Sequence, residues 1–234
     1  ILIPSFLKLV AIATVADAVP LTGENRTIAA LGLSALANPV QPGLRALMDV
    51  AKLPLNLPPS ATEVAFRLAP RINAAGRMDV ASDVIELFLT RDAARAAELA
   101  GKLEHLNRDR RDAEAAALAA IEARLAAEAE LAADSLLLID GDGWHRGVIG
   151  ILASRVVERT AKPAIVVSVE DGVAHGSGRS VEGFPLLGAI ESCAELFTRF
   201  GGHAFAVGFA LPAASLPQLR SRLRAYAAEH LAAR

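Results

Sequence analysis

At 234 residues the chain is long enough for one large domain or two modest ones, each able to bury a core. A hydrophobic fraction of 53% with only 4% aromatic residues points to an alanine- and leucine-rich helical protein with some sheet and excludes a β-sandwich. The formal net charge of −2 gives no overall basic field, so affinity for nucleic acid would have to rest on local arginines.

The single cysteine, Cys193, excludes a disulfide framework and a thiolate zinc site and reads as a small core residue. The chain opens at Ile1 inside an apolar run that Pro4, Lys8, Asp17 and Pro20 interrupt. No basic segment precedes the run, which argues against a signal sequence or membrane span and for a buried segment of a longer protein. Residues 6–13 read as a helix or apolar strand, followed by a turn over 14–21 that presents Asp17. Helical spacing follows over 25–36, through Ile28, Leu31, Leu33 and Leu36, and again over 42–53, with a proline-rich turn at 54–59.

The segment 62–68 leads into 69–78, where Pro70 and Gly76 predict a loop. A helix is predicted over 79–89. From 92 to 133 the pattern is one long proline-free helix. Its apolar stripe, Leu99, Leu103 and Leu106, is narrow enough to mark it as a connector between two lobes and not a core element. Beyond it the period changes. Strands are predicted at 135–139, 164–169, 173–177 and 204–211, with helices at 148–159, 186–200 and 216–233. That alternation indicates an α/β layer structure of about a hundred residues.

Two segments carry the most chemistry: Gly176-Ser177-Gly178-Arg179-Ser180 and Arg199-Phe200-Gly201-Gly202-His203. Read as small-residue loops, they suit a phosphate. Glycine lets backbone N–H groups approach, serine adds a hydroxyl, and arginine adds a planar fork. The plainer reading of either alone is a turn.

Asp17 is a carboxylate enclosed by apolar residues, so it must be paired, cap a helix or bind a metal; capping or a pair with Arg26 is the plainer choice. One aspartate cannot hold a divalent ion, and His105, His145, His175, His203 and His230 are not spaced as a metal pair. Arg71, Asn73 and Arg77 suit a passing phosphodiester backbone, although capping by Asn73 and solvated arginines explain the same pattern. Trp144 and His145 sit in a glycine-rich loop ahead of a helix whose N-terminus attracts an anion. Trp144 reads equally as a packed core aromatic or as a platform for a base.

Together these segments resemble the DHH/DHHA1 phosphoesterase superfamily, and within it the bacterial exonucleases specific for single strands. Residues 13–21 with Glu24-Asn25-Arg26 resemble the last metal-binding motif of the DHH domain, and Arg71-Ile72-Asn73-Ala74-Ala75-Gly76-Arg77 the loop that follows it. His145-Arg146-Gly147-Val148-Ile149-Gly150, the Gly-Ser-Gly-Arg-Ser run and Gly201-Gly202-His203 resemble the DHHA1 signature. The Asp-His-His motif that names the superfamily is not in the chain, and the resemblance places it before Ile1.

The resemblance implies an α/β fold: the end of a DHH domain at 1–90, a connector helix at 91–133, and a DHHA1 domain with a mixed sheet at 134–234. It also implies a cytoplasmic, metal-dependent 5′-to-3′ exonuclease of DNA repair and recombination, acting on single-stranded DNA. Single-strand-binding protein and a helicase would be its partners. Asp17 would be one ligand of Mn2+ or Mg2+, most others lying outside the chain. His203 would be catalytic, contacting the phosphate near the scissile bond. Ser177 and Arg179 would hold the 5′-phosphate or neighbouring backbone, with Arg71, Asn73, Arg77, His145, Gly201 and Gly202 also binding substrate.

Two alternatives stay open: a phosphodiesterase for short oligonucleotides or cyclic dinucleotides, and a non-catalytic nucleic-acid-binding module like the DHHA1 appendage of alanyl-tRNA synthetases. The long helix from Asp92 argues against the first, and Asp17 in its motif against the second.

Overall fold

The computed structural model describes residues 2–78 and 81–231. Asp79, at the start of the helix expected over 79–89, and Ala233, at the end of the one expected over 216–233, lie outside the described residues. The chain forms two compact units, Ile1–Arg110 and Arg111–Arg234.

The first unit is helical. Helices α1 (Leu2–Ala16) and α2 (Gly23–Ala35) pack closely. Gly32 makes this possible, since a Cβ there would lie 2.3 Å from that of Ala11 and 2.7 Å from the Leu7 carbonyl oxygen. Helix α3 (Pro42–Val50) turns Leu44, Leu47 and Met48 into the core. A reciprocal cap then opens α4 (Ala61–Glu63). The Ser60 hydroxyl accepts from the Glu63 N–H at 3.2 Å, and the Ser60 N–H donates to the Glu63 carboxylate at 2.9 Å.

The helix widens into a π-turn over Val64–Leu68 and continues as α5 (Ala69–Met78). The loop expected at 69–78 is therefore helix. A proline inside a helix collides with the carbonyl four residues back, here that of Phe66, and the π-turn loosens the ladder at that place.

Helices α6 (Ser82–Leu89) and α7 (Ala93–Ala127) follow, the latter started by Asp92, whose carboxylate accepts from the Ala94 N–H at 2.8 Å. The first half of α7 gives Ala96, Leu99, Ala100 and Leu103 to the core, and its second half buries Ala117 and Ile121. It is more than the spacer its narrow stripe suggests: small alanines let a thin apolar face bury completely. The long helix expected to reach 133 breaks at Glu128 and resumes as α8 (Ala129–Ala133).

The second unit is built on a five-stranded mixed sheet in the order β1-β2-β3-β5-β4. Strand β1 (Leu137–Asp142) pairs in parallel with β2 (Ala164–Glu170) through the crossover helix α9 (Ile149–Thr160). Strands β2 and β3 (Val173–Arg179) form a hairpin closed by Asp171-Gly172, both at positive φ. Strand β5 (Ala206–Pro212) lies between β3 and β4 (Arg199–His203), antiparallel to both. Helices α10 (Leu186–Glu191) and α11 (Leu216–Leu231) complete the α/β layers.

The helix expected over 186–200 stops at Glu191, and 199–203 is strand. The core contains Leu138, Ile165, Val167, Leu186, Phe209, Leu211, Leu219 and Cys193, whose thiol burial pushes above its ordinary pKa.

Candidate functional site

Both small-residue segments are strands, not loops, and this reassigns their glycines. Along β3 successive side chains alternate between faces. Gly176 and Gly178 face the apolar core. A Cβ at 176 would lie 2.0 Å from the Phe209 ring, and one at 178 would lie 2.8 Å from Val207 and 3.0 Å from Leu186. Their lack of a side chain makes room for Phe209 and its neighbours, not for an anion. His175, Ser177 and Arg179 occupy the other face.

Residues directly opposite on antiparallel strands share a face, so the register arranges that face in three rows. Arg179, Ala206 and His203 form the first, Ser177, Gly208 and Gly201 the second, and His175, Ala210 and Arg199 the third. The middle row has a bare floor: Gly201 and Gly208 are exposed, and nothing lies within 4 Å of where a Cβ at 201 would sit. Gly202 has a different reason to be glycine. Its φ is 151°, and a Cβ would meet the Ala206 carbonyl oxygen at 2.2 Å, so hairpin geometry requires it.

Helix α9 begins on this same face. A Cβ at Gly150 would come within 3.2 Å of the Ser177 hydroxyl and 3.3 Å of the Arg179 guanidinium. Val148, ahead of the first turn, supplies no side-chain cap. An uncapped helix N-terminus, a hydroxyl and a guanidinium therefore meet at one place, with the partial positive charge of the helix end added to that of arginine. Arg179 is oriented by hydrogen bonds from its guanidinium to the Gly178 carbonyl at 2.8 Å and the Ser177 hydroxyl at 3.3 Å.

His203 is exposed, and its Nδ1 accepts from the Phe205 N–H at 3.3 Å, which leaves the proton of the neutral ring on Nε2, facing out as a donor. His145 is held in the same way, its Nδ1 accepting from the Gly147 N–H at 3.0 Å. Trp144 is half-buried, with its indole filling the space beside Gly141.

In the third row, Arg146 from the loop ahead of α9 reaches His175, Nη1 to Nε2 at 3.4 Å, and its Nε lies 3.6 Å from the Glu170 carboxylate. Burial, then the charges of Arg146 and Arg199, hold His175 below the usual histidine range, with Glu170 opposing. Gly208 and His175 escape motif reading. The signal that exposes them is two-residue periodicity through 175, 177 and 179, once that run is seen to be strand.

The first unit carries a cleft of about 1150 Å³ lined by Thr14, Asp17, Asn25, Asn73, Gly76 and Arg77 among apolar neighbours. As helix, 69–78 sets Asn73 and Arg77 one turn apart on a single face. Asp17 is exposed at the end of α1, so the desolvation expected of it does not arise. Arg71 does not line the cleft. Its guanidinium lies 2.5 Å from Glu104 and donates to the carbonyls of Val50 and Arg67, tying the helices together.

Asp17 is the only carboxylate on the cleft wall among the described residues. Asn25 donates to the Pro20 carbonyl and Thr14 to that of Val10. Among the described residues no group of three or more histidine, cysteine, aspartate or glutamate side chains could hold a metal ion. A hard divalent cation takes about six oxygen ligands, so this chain's described residues do not by themselves make its site.

Residues 128–229 match the DHHA1 domain family. The chain is 38% identical over 219 residues to the single-stranded-DNA-specific exonuclease RecJ of Bacillus subtilis, covering 93% of this chain and 28% of that protein. It is 39% identical over 223 residues to its counterpart in Thermus thermophilus, covering 95% and 32%. The crystal structure of RecJ in complex with Mn2+ from Thermus thermophilus superposes with a TM-score of 0.84 at 37% identity, over 97% of this chain and 33% of that one. The chain thus spans about a third of the length of these relatives.

Proposed function

For a chain that belongs to the RecJ-like family and carries its DHHA1 domain, we propose the role of substrate grip in an exonuclease acting on single-stranded DNA. The observation that carries this reading is the placement of Arg179 and Ser177 beneath the uncapped first turn of α9, at the edge of a glycine-floored strand face. Such a place accepts a phosphate monoester at the 5′ end, with the helix end and arginine neutralising its charge. His203, across Ala206 from Arg179, presents an N–H donor to the next phosphate along the strand.

Asn73 and Arg77, on the cleft wall of the first unit, supply contacts that hold the backbone without reading its sequence. Asp17 supplies one carboxylate to a divalent metal in the full-length protein, where the ion would activate water and offset charge on the pentacovalent transition state. The full-length protein works in the cytoplasm in DNA repair and recombination, alongside single-strand-binding protein and a helicase.

The test is affinity for single strands with and without a 5′-phosphate. Arg179→Ala should cost about 1.5–3 kcal/mol on the phosphorylated strand and erase the preference for it. Equal losses on both strands would mean that this end of β3 is only structural.

A further inference from the structure

We infer that the third row of the strand face, His175 with Arg199 and Arg146, is a second phosphate subsite that engages an internal phosphate further along the strand than the Arg179 site. The inference rests on the reading of this face as a single-strand grip. Its own observations are independent of the first row. Across β3, β5 and β4 the sequence repeats one pattern: basic, alanine, basic in the first and third rows, and only Ser177 and two glycines between them. Ala210 is small enough for Arg199 to act on His175 across the intervening strand, and that influence is felt in the histidine's titration.

Three cationic or potentially cationic groups thus converge, opposed among the described residues by the carboxylate of Glu170, 3.6 Å from Arg146. Among the described residues Arg199 has no ion-pair partner, and it is exposed on the open face. Convergent like charge on a folded surface is unfavourable until an anion arrives.

Spacing indicates which anion. Alternate residues of a strand are about 7 Å apart, so the first and third rows stand about 13 Å apart with the glycine floor between. A single phosphate group cannot span that distance, whereas a nucleotide chain crossing the bare middle row presents phosphates on both sides of it. The glycines leave room for sugar and backbone, and the flanking rows neutralise charge.

The experiment uses the full-length protein without divalent metal, so that strands stay intact, and 5′-phosphorylated deoxynucleotides one to four residues long. Wild-type affinity should step upward at the length that places a phosphate over the third row. Arg199→Ala should reduce that step about tenfold and Arg199→Glu should abolish it, while both bind the 5′-phosphorylated mononucleotide as wild type does. A neutral methylphosphonate at that one linkage should weaken wild type and leave Arg199→Ala unaffected. Variants that retain the full step overturn the second subsite. Wild-type protein that binds no strand of any length refutes the single-strand reading, and this inference with it. Unchanged melting of the Arg199 variants confirms that the exposed position is not needed for folding.

Discussion

Replacing Gly176 by alanine separates the two meanings a glycine in this motif could have. The new methyl would fall 2.0, 2.2 and 2.6 Å from three carbon atoms of the Phe209 ring, where ordinary contact begins near 3.4 Å. Phe209 cannot step aside easily, because it is 6% exposed and packs against Phe197 with ring centroids 4.9 Å apart. Overpacking of this kind costs about 1–3 kcal/mol, and the depth of overlap puts Gly176→Ala at about 2–3. For a unit of this size that lowers the melting temperature by roughly 6–12 °C.

Gly201→Ala, in open space on the floor, should change stability by no more than about 0.5 kcal/mol while narrowing the path for a strand. Thermal melts of both variants, with strand affinity measured well below either transition, give four numbers. The expected pattern is a large loss of stability for the first and a loss of affinity without loss of stability for the second. If Gly176→Ala melts with wild type and loses affinity instead, the assignment of that glycine to the core is wrong.

Arg77→Ala, on the cleft wall of the first unit, should weaken single-strand binding regardless of end chemistry and lower the salt slope by about one, read from affinities across a salt series. Affinity should also rise with acidity. Burial, Arg146 and Arg199 depress the free His175 while Glu170 opposes them, and a bound phosphate raises its pKa. The contribution is therefore fully present below the free pKa and lost as pH rises through the bound one. The gain should grow as pH falls through the bound pKa and vanish in His175→Ala. Incubated with manganese and a 5′-phosphorylated strand, the 234-residue chain by itself should release no nucleotides. Release at the rate of the full-length enzyme would show that the metal site is complete within it.

The chemistry of the strand face is legible in the sequence, but its geometry is not. Glycine, serine, arginine and histidine are poor or indifferent strand formers, so the runs 176–180 and 199–203 carry loop propensity. What makes them strand is non-local: Val207 and Phe209 on β5 need partners, and β3 offers glycines for Phe209 to cover. Seen as loops, the glycines and Arg179 appear to act together; seen as strand, they face opposite ways. At 69–78 the error has a different origin. Pro70 and Gly76 are valid local signals of a break, overridden by a π-turn that leaves no trace in residue type. The helices at 25–36 and 148–159 and the strand at 164–169 were legible because apolar periodicity and burial agree there.

The π-turn at Val64–Leu68 has a consequence for how this unit can change over time. It holds one residue more than an α-helical turn of nearly the same rise and rotation. Deleting one of those five residues should therefore let the segment close into an ordinary α-turn while α5 keeps its phase, with Asn73 and Arg77 still on the cleft wall and Ala74 and Ala75 still in the core, at the cost of the looser ladder that Pro70 uses. The same deletion within α5 has no wide turn to absorb it, and each α-helical residue advances by about 100°, so the wall residues beyond it would be turned away from the cleft. The segment 64–68 is thus the place where this helix can lose a residue without moving the wall.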